Sequence, residues 1–267
     1  MPEIPDLEAI RAFLNERVAG KEITAAEALI PVVFRVPSAD FAAELTGNRI
    51  EHIARRGKFL LFALADEHVM VINAMLTGRF QYLTPADKKR ARTCMTITFE
   101  DGRQLRYYDQ LLMGKIYVVE DGALATVPMF GDMGPDALEV GEEEFRQRIR
   151  KHSGAVKNIL TNHKFVAGIG NAYADEILFR ARIQPFRKRT TLSDDEVGAL
   201  HAAISRVMGW AIPIVREKFR DDLDYVEWRD HLKVHRKGGE RCPRCGARIT
   251  EIAPNQRVTS YCRTCQR

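Results

Sequence analysis

Residues 242–265 read CPRCGARITEIAPNQRVTSYCRTC, and this stretch decides how the C-terminal end of the chain folds. It contains two cysteine pairs, Cys242 with Cys245 and Cys262 with Cys265; each pair encloses two residues, and sixteen residues separate the pairs. That spacing is typical of a four-cysteine zinc site, in which the intervening segment forms a hairpin that brings the second pair to the metal. Disulfide bonds are the alternative.

The predicted metal site is structural rather than catalytic. Four thiolates complete a tetrahedron and leave no coordination position for a reactive water. The chain opens without a basic segment followed by an apolar one, so we expect no secretory signal and a reducing, cytoplasmic location, which disfavours disulfides. The fifth cysteine, Cys94, lies in an alternating segment and is expected to be a small core residue.

Length and charge narrow the class of protein. A chain of 267 residues, 45% hydrophobic and 29% charged, indicates two or three globular domains rather than disorder. The longest apolar stretch, residues 59–75, is interrupted by charged residues, so we predict no membrane-spanning helix. Residues 231–267 carry a net charge of +7, against −2 for the rest. This asymmetry favours a polyanionic partner such as nucleic acid, the alternative being a solvated basic tail.

The N-terminal part of the chain is predicted to be mainly antiparallel β-structure with a leading helix. Residues 6–18 place apolar side chains on one helical stripe, and residues 58–64 and 69–76 are rich in strand-forming residues. Residues 93–99 alternate strictly and continue through Asp101-Gly102, a hairpin turn, into a further strand.

Helical patterning follows a segment rich in Gly and Pro. We predict four consecutive regions, namely an N-terminal domain over residues 1–125, a linker over 126–139, a helical domain over 140–230 and a zinc finger over 231–267. Within the helical region, Gly168-Ile169-Gly170-Asn171 separates two helices. A turn that needs positive φ explains the glycines, and a backbone that presents N–H groups to phosphate is the functional alternative.

Three separated motifs together indicate a family. The opening residues 1–6 (MPEIPD), the central residues 168–176 (GIGNAYADE) and the ending from Gln256-Arg257 through Cys265 resemble the formamidopyrimidine-DNA glycosylase and endonuclease VIII family. The resemblance spans essentially the whole chain, with the motifs in the family's order. It implies a multidomain α+β protein with an N-terminal β-sandwich, a helix–two-turn–helix domain and a zinc hairpin.

The resemblance also implies catalytic residues. The family's nucleophile is the secondary amine of an N-terminal proline, here Pro2 after removal of Met1, and Glu3 beside it is placed to shuttle protons. Lys58 matches the lysine that the family carries on a β-hairpin near the scissile phosphates. Asp6, grouped with this set, replaces a family Glu, so we expect its shorter carboxylate to need a bridging water. The alternative for Pro2-Glu3, if the other motifs were absent, is that these two residues only precede the first helix and have no chemical role.

The remaining carried-over residues are expected to contact DNA. Asn171 and Arg257 match the phosphate-gripping residues of the two-turn motif and the zinc hairpin, and Lys157 and Tyr173 are assigned to the same phosphate backbone. Phosphate contacts fix register and carry little sequence information, as suits a protein that searches for damage.

One loop departs from the formamidopyrimidine branch of the family. That branch has Asp-Pro-Arg-Arg-Phe-Gly where this chain has Asp-Gln-Leu-Leu-Met-Gly at residues 109–114, so the guanidinium that would bond the orphaned base is absent. Leu76, Leu111 and Met113 are predicted to act as apolar wedges in the space left by the flipped base, the alternative being that the loop residues belong to the core.

The resulting functional prediction is a bifunctional DNA glycosylase and AP lyase that excises oxidised bases. The opening motif and residues 256–265 favour oxidised purines over the oxidised pyrimidines of the endonuclease VIII branch. A non-catalytic damage-binding module is the alternative from another class, and the joint retention of Pro2, Glu3 and Lys58 argues against it. We expect double-stranded damaged DNA as the partner, one zinc ion per chain, no small-molecule cofactor, no membrane association and a monomer.

Overall fold

The structure is a computed structural model that describes residues 1–224, 227–253 and 257–267. It divides into two compact units, one made of residues 1–132 and 212–227 and the other of residues 133–211 and 228–267. The predicted regions follow one another along the chain, whereas residues 212–227 belong to the first unit although the residues on both sides of them belong to the second. Sequence periodicity cannot reveal this boundary, because the long helix over residues 194–218 runs through it without a break.

In its described residues, the first unit contains two complete helices, eight strands and the end of a third helix, over residues 212–218. The helices are α1 (Ile4–Val18) and α2 (Ser38–Leu45). The strands are β1 (Ile23–Ala28), β2 (Ile50–Arg56), β3 (Phe59–Leu64), β4 (His68–Asn73), β5 (Gly78–Leu83), β6 (Thr93–Phe99), β7 (Gln104–Asp109) and β8 (Lys115–Glu120). Short 3-10 turns lie at Pro31–Val33 and Asp121–Thr126.

The strands form two four-stranded antiparallel sheets, in the orders β1-β6-β7-β5 and β2-β3-β4-β8. The predicted hairpin is present: Gly102 takes φ +76°, and the N–H of Phe99 donates to Arg103 O at 2.9 Å. Five of the six side chains of β3 and five of the six of β4 are buried, so these central strands have core on both faces. The predicted N-terminal β-sandwich with a leading helix is confirmed.

Helix α1 is buried more fully than its sequence predicts. A single apolar stripe covers one side of a surface helix, but all of residues 4–10 are buried, including Asp6 and Glu8. The Glu8 carboxylate is held by three guanidinium groups, those of Arg11, Arg55 and Arg216, at 2.7 to 3.1 Å. These ion pairs let a charged residue face inward, and they lower the pKa of Glu8 against the opposing effect of its burial.

The second unit is mainly helical, as predicted, and ends in a small hairpin. Its helices are α3 (Glu142–Ile149), α4 (Val156–Leu160), α5 (Asn171–Ala181) and α6 (Asp194–Lys218), whose residues after Ala211 belong to the first unit, with a 3-10 turn at Arg189–Thr191. The hairpin pairs β9 (Thr250–Ile252) with β10 (Thr259–Tyr261) and lies between the two cysteine pairs, where the spacing predicts it. Gln256, part of the ending motif, lies outside the described residues.

Helix α6 is 25 residues long and, by length and composition alone, would meet the requirement for a membrane-crossing helix. Core helices of globular proteins meet the same requirement. Its apolar side chains at Leu200, Ile204, Met208 and Val215 are buried, and its first turn is acidic while its last is basic. We interpret α6 as a core helix.

Candidate active site and DNA-contacting residues

The start of α1 holds the predicted nucleophile beside its carboxylate. Pro2 and Glu3 are both buried, and Glu3 is the residue that caps the helix. The Glu3 side chain accepts the backbone N–H of Asp6, and the Asp6 carboxylate accepts the backbone N–H of Glu3 at 2.8 Å. This reciprocal capping fixes the entry of the chain into the helix, and with it the position of Pro2 relative to the Glu3 carboxyl group.

Asp6 has a role that the sequence does not predict. It is fully buried, and its Oδ2 atom reaches the Glu3 N–H directly, so the predicted need for a bridging water is wrong for this contact. A carboxylate at the third helical position suffices for this cap even when it is one methylene shorter. Asp6 therefore positions Glu3, and a part for Asp6 in the reaction itself stays a prediction.

Glu227 is a neighbour of the N-terminus that sequence reasoning missed. Its carboxylate accepts the Met1 ammonium at 2.8 Å and the Arg79 guanidinium at 3.1 Å. With Met1 present, the Pro2 nitrogen is an amide without nucleophilic character, so removal of Met1 is a precondition of amine chemistry. No local pattern marks Glu227, because its partners are distant in sequence.

Lys58 lies in the tight turn that joins β2 to β3. Arg56 pairs with Phe59 across the turn, and Gly57 takes φ +59°, a conformation that two-residue hairpins place on glycine. Lys58 is half-buried rather than fully solvated. The hairpin position that the resemblance implies is present, and the contact with phosphates stays a prediction.

The three predicted wedge residues are exposed. Leu76, Leu111 and Met113 expose 44%, 57% and 37% of their surface. The alternative that residues 111–113 are core residues is therefore wrong for Leu111 and Met113. Leu112, between them, is half-buried and takes φ +54°, a left-handed conformation that costs a non-glycine residue roughly 1–2 kcal/mol.

The buried carboxylate of Asp109 connects two loops, one over residues 74–77 with Leu76 and one over residues 110–114 with Leu111 and Met113. The Asp109 side chain accepts the N–H of Gly114 at 2.6 Å, the N–H of Leu111 at 3.3 Å and the hydroxyl of Thr77. The Thr77 hydroxyl also accepts the N–H of Leu111 at 3.0 Å, so one side chain from each loop fixes the other. A Cβ atom at Gly114 would lie 2.0 Å from the Tyr107 hydroxyl, which explains the glycine. The exposed wedges thus stand on a rigid base.

In the second unit, Asn171 and the segment that carries Arg257 are brought together. Asn171 is the first residue of α5, and its side-chain Nδ2 donates to Val258 O at 2.7 Å. Arg257, the neighbour of Val258, is exposed. Of the two glycines before Asn171, only Gly168 has positive φ, at +102°, so the turn explanation holds for Gly168.

Lys157 is buried against the zinc hairpin. It is only 5% exposed, and its Nζ atom lies 2.6 Å from Asp175 Oδ1, 3.0 Å from Val258 O and 2.9 Å from Thr259 Oγ1. The other Asp175 oxygen, Oδ2, accepts from His235 Nδ1 and from the Ser260 N–H at 2.7 and 3.0 Å. Lys157 and Asp175 therefore fasten the zinc hairpin to the helices, and the predicted contact of Lys157 with phosphate stays a prediction.

Lys157→Met is expected to lower the free energy of unfolding by about 3 kcal/mol, because it removes the ammonium from a buried carboxylate. Thermal or denaturant unfolding of the zinc-loaded protein measures this loss, and Lys151→Met, at an exposed lysine of the same unit, is the matched control. Unchanged stability in Lys157→Met, with a weaker salt dependence of DNA binding, would favour the phosphate contact.

Tyr173 faces the core of the second unit. The side chain is fully buried, and its hydroxyl hydrogen-bonds His231 Nε2 at 3.0 Å. Tyr173 is the third residue of α5, two residues after Asn171, and helix periodicity points it away from Asn171. Its contact with the DNA backbone stays a prediction.

The four cysteines of the ending converge on one point. All four Sγ atoms lie within 4.8 Å of one another, with Cys242–Cys265 at 3.9 Å and Cys245–Cys262 at 3.5 Å. A zinc tetrahedron with Zn–S bonds of about 2.3 Å places sulfurs about 3.8 Å apart, whereas a disulfide needs about 2.05 Å. The residues fit a structural zinc ion, and the disulfide alternative is wrong.

Each cysteine pair sits in a tight loop of the kind that zinc ligands use. The N–H of Gly246 donates to Cys242 O at 2.9 Å, and the N–H of Gln266 donates to Cys262 O at 3.0 Å. Cys94, in contrast, is buried alone in β6, and its burial raises the pKa of the thiol to about 11. Cys94 is a neutral core residue, as predicted.

Comparisons with known proteins agree along the whole chain. The family model of the formamidopyrimidine-DNA glycosylase N-terminal domain matches residues 1–116, that of the formamidopyrimidine-DNA glycosylase H2TH domain matches residues 133–221, and a zinc finger found in FPG and IleRS matches residues 239–267. The formamidopyrimidine-DNA glycosylase of Pelotomaculum thermopropionicum is 32% identical, over 100% of this chain and 99% of the relative.

The chain belongs to the formamidopyrimidine-DNA glycosylase family. The Bacillus subtilis formamidopyrimidine-DNA glycosylase is 35% identical over 100% of this chain and 99% of its own. Lactococcus lactis Fpg in complex with DNA containing an N7-benzyl-Fapy-dG aligns with a TM-score of 0.91 at 30% identity, and the same protein with abasic-site DNA aligns with 0.91 at 29%; both cover 100% of each chain. The family resemblance, the zinc finger and the assignment to DNA glycosylases of base excision repair are confirmed.

Proposed function

We propose that this chain excises oxidised purines, such as 8-oxoguanine and formamidopyrimidines, from double-stranded DNA and then cleaves the strand through a covalent link to Pro2. The observation that carries the proposal is the start of α1, where Pro2 and Glu3 are both buried and the reciprocal cap between Glu3 and Asp6 fixes the entry of the chain into the helix. Three matching family domains along the chain and relatives solved with damaged DNA support it.

The chemistry follows from the amine. After removal of Met1, the Pro2 nitrogen is an α-amine; α-amines of model peptides titrate at about 7.7–8.0, far below lysine side chains, which makes an N-terminal amine the better nucleophile near neutral pH. Its lone pair forms a bond to C1′ as the bond from C1′ to the base breaks, and the departing base takes up a proton. The sugar ring opens to an iminium ion, and loss of the C2′ proton expels the 3′-phosphate by elimination. Glu3 carries protons in these steps.

Excision from a panel of duplexes tests this function. Duplexes with 8-oxoguanine, a formamidopyrimidine, an oxidised pyrimidine or a preformed abasic site are each incubated with wild type and with Glu3→Gln. We expect the two purine lesions to be excised fastest, and Glu3→Gln to slow base excision more than cleavage of the abasic site. Faster excision of the pyrimidine lesion would favour the endonuclease VIII-like alternative, and inactivity on every duplex would favour a binding module.

Selection of the base opposite the lesion is expected to be weak. The exposed Leu111 fills volume but offers no hydrogen-bond donor to an orphaned base. Excision rates opposite all four bases should therefore lie close together, and Leu111→Arg should raise discrimination about tenfold, the scale of one good base contact. Met113→Leu, which keeps the loop apolar, is the matched control. A strong preference for cytosine in wild type would mean that another residue supplies the contact.

Arg257 is expected to grip phosphate rather than read a base. Arg257→Ala should weaken binding to every damaged duplex about equally and lower the salt slope, the change of log K with log salt, by about one. Binding titrations at several salt concentrations with two lesions and an undamaged duplex measure both quantities. A loss confined to one lesion would assign Arg257 to base recognition.

The cytoplasmic location, the monomeric state and the lack of a small-molecule cofactor stay predictions. Sedimentation or light scattering of the zinc-loaded protein, alone and with a short duplex, measures the number of chains per complex.

A further inference from the structure

A pocket of about 260 Å³ lies within the second unit and shares no residue with the site described above. The second half of α5, the middle of α6, the segment after Leu232 and the first cysteine loop all contribute to its wall. Four of the residues that line it are cations, namely Arg180, Arg206, Lys233 and Arg244. This concentration of like charge around a small cavity calls for a physical explanation.

The four cations have no acidic partners. Among residues 1–224, 227–253 and 257–267, none of the four lies within 4 Å of a carboxylate oxygen. Other arginines of the same unit are paired, such as Arg146 with Glu142 at 2.6 Å and Arg187 with Glu196 at 2.5 Å. What marks the pocket is that four cations without a carboxylate oxygen within 4 Å in the described residues line one small cavity.

Arg244 supplies the sharpest observation. Its guanidinium lies over the ring of Phe179 at 4.3 Å, and its Nη1 atom is buried without a hydrogen-bond partner in the part of the chain that the structure describes. A buried guanidinium N–H without an acceptor is unfavourable, and an acceptor supplied by a ligand would satisfy it.

The one carboxylate that lines the pocket is already engaged. Glu176 is 2% exposed, and its Oε1 atom accepts the backbone N–H groups of Lys233, Val234 and His235 at 3.1, 2.8 and 3.0 Å. Burial raises the pKa of Glu176, and the three backbone hydrogen bonds oppose that shift. Glu176 shapes the segment after Leu232 through Oε1 and forms no ion pair with the four cations in the described residues.

The rest of the wall is apolar and aromatic. Phe179, Val207 and Trp210 line it, and the Lys233 ammonium lies 4.6 Å from the centre of the Trp210 ring. Arginine forks bind phosphate through paired hydrogen bonds, and a phosphate monoester carries up to two charges on one group, where a carboxylate carries one. Planar bases stack on aromatic side chains.

We propose that this pocket binds a nucleoside monophosphate, with the phosphate held by the arginines and the base against the Trp210 side of the pocket. The ligand is either a free nucleotide or the phosphorylated terminal nucleotide of a DNA strand. Because Arg244 belongs to the first cysteine loop and Arg206 to α6, the bound phosphate ties the zinc module to the helices and stabilises it by mass action.

Calorimetric titration of the full-length, zinc-loaded protein tests the proposal. The probes are deoxyadenosine monophosphate, deoxyadenosine, inorganic phosphate and a short single strand with or without a 5′-phosphate. We expect the monophosphate to bind at least tenfold more tightly than the nucleoside, and Arg206→Gln and Arg244→Gln each to weaken it about tenfold, the scale of a charge-assisted hydrogen bond. Arg263→Gln, in the second cysteine loop, is the matched control and should bind like wild type.

The same titrations identify the source of the ligand, and the second arginine variant keeps the proposal testable if the first one loses zinc. A phosphorylated strand that binds more tightly than the free nucleotide, with the same dependence on Arg206, indicates a strand end. If Arg244→Gln loses zinc, the affinity of Arg206→Gln for the monophosphate tests the proposal, because Arg206 is exposed and lies outside the cysteine loops. Equal binding of nucleoside and monophosphate, unchanged binding in Arg206→Gln, or a loss in Arg257→Gln instead would each overturn the proposal.

Discussion

Removal of zinc is expected to unfold the β9–β10 hairpin and to abolish specific DNA binding while the first unit stays folded. The hydrophobic cluster beneath the cysteines is small, consisting of Val234, Ile249 and the two buried cysteines Cys242 and Cys262 packed against Phe179 of α5. Such a core is too small to fix the hairpin alone, and a structural zinc ion contributes on the order of 10–16 kcal/mol of apparent binding free energy at neutral pH. Arg257 loses its fixed position when the hairpin unfolds.

Hydrogen exchange before and after chelation measures this effect region by region. Amides of residues 242–253 and 257–265 should lose protection, whereas those of β3 and β4 should keep it. Cys262→Ser should behave like the chelated protein, and Cys94→Ser, at the cysteine that lies outside the cluster, should keep one zinc ion per chain. Protection that persists in the hairpin after complete loss of metal would show that its fold does not depend on zinc.

Local patterns predict local structure well in this chain. The spacing of the cysteine pairs requires a reversal between them, and the β9–β10 hairpin supplies it. Strict alternation over residues 93–99 with Asp101-Gly102 behind it leaves one plausible pairing, which the structure contains as β6 and β7. These features are encoded by neighbours in sequence, and for that reason they can be read without a structure.

Features that depend on distant partners are not readable in this way. A lysine near a phosphate-binding motif looks like a phosphate ligand, but Lys157 meets Asp175 and the backbone of residue 258 only after folding. The same holds for Tyr173 and its partner His231, 58 positions away. Thr77 and Asp109 brace the wedge loops from two segments whose contact no periodicity marks. The residue types indicate the chemistry available in this region, whereas the sequence does not show which of these side chains are buried.

Blocking the Pro2 amine is expected to have the second large effect. A protein with one extra residue ahead of Pro2, or with Met1 retained, has an amide in place of the amine and should lose lyase and excision activity on the order of a thousandfold or more, the scale seen when a covalent nucleophile is removed. Binding to damaged duplex should fall much less, because the residues proposed to contact phosphate, Asn171 and Arg257, are unchanged. Mass measurement of the intact protein establishes whether Met1 is present in each preparation.

Pro2→Gly is the matched variant for that experiment. It keeps a free α-amine at the N-terminus, now primary instead of secondary, so partial cleavage of abasic-site DNA is expected. Loss of all activity in Pro2→Gly, with the fold intact, would indicate that the geometry of the proline ring itself is required for attack.

Borohydride trapping tests the central claim most directly. The processed protein, without Met1, is mixed with duplex containing an abasic site or an oxidised purine, and borohydride reduces any iminium ion to a stable amine that joins protein to DNA. We predict a one-to-one covalent complex whose linkage maps to Pro2 by peptide mass, and no complex with the N-terminally extended protein. Equal trapping by both proteins, with the linkage on Lys58 or another lysine, would contradict the account.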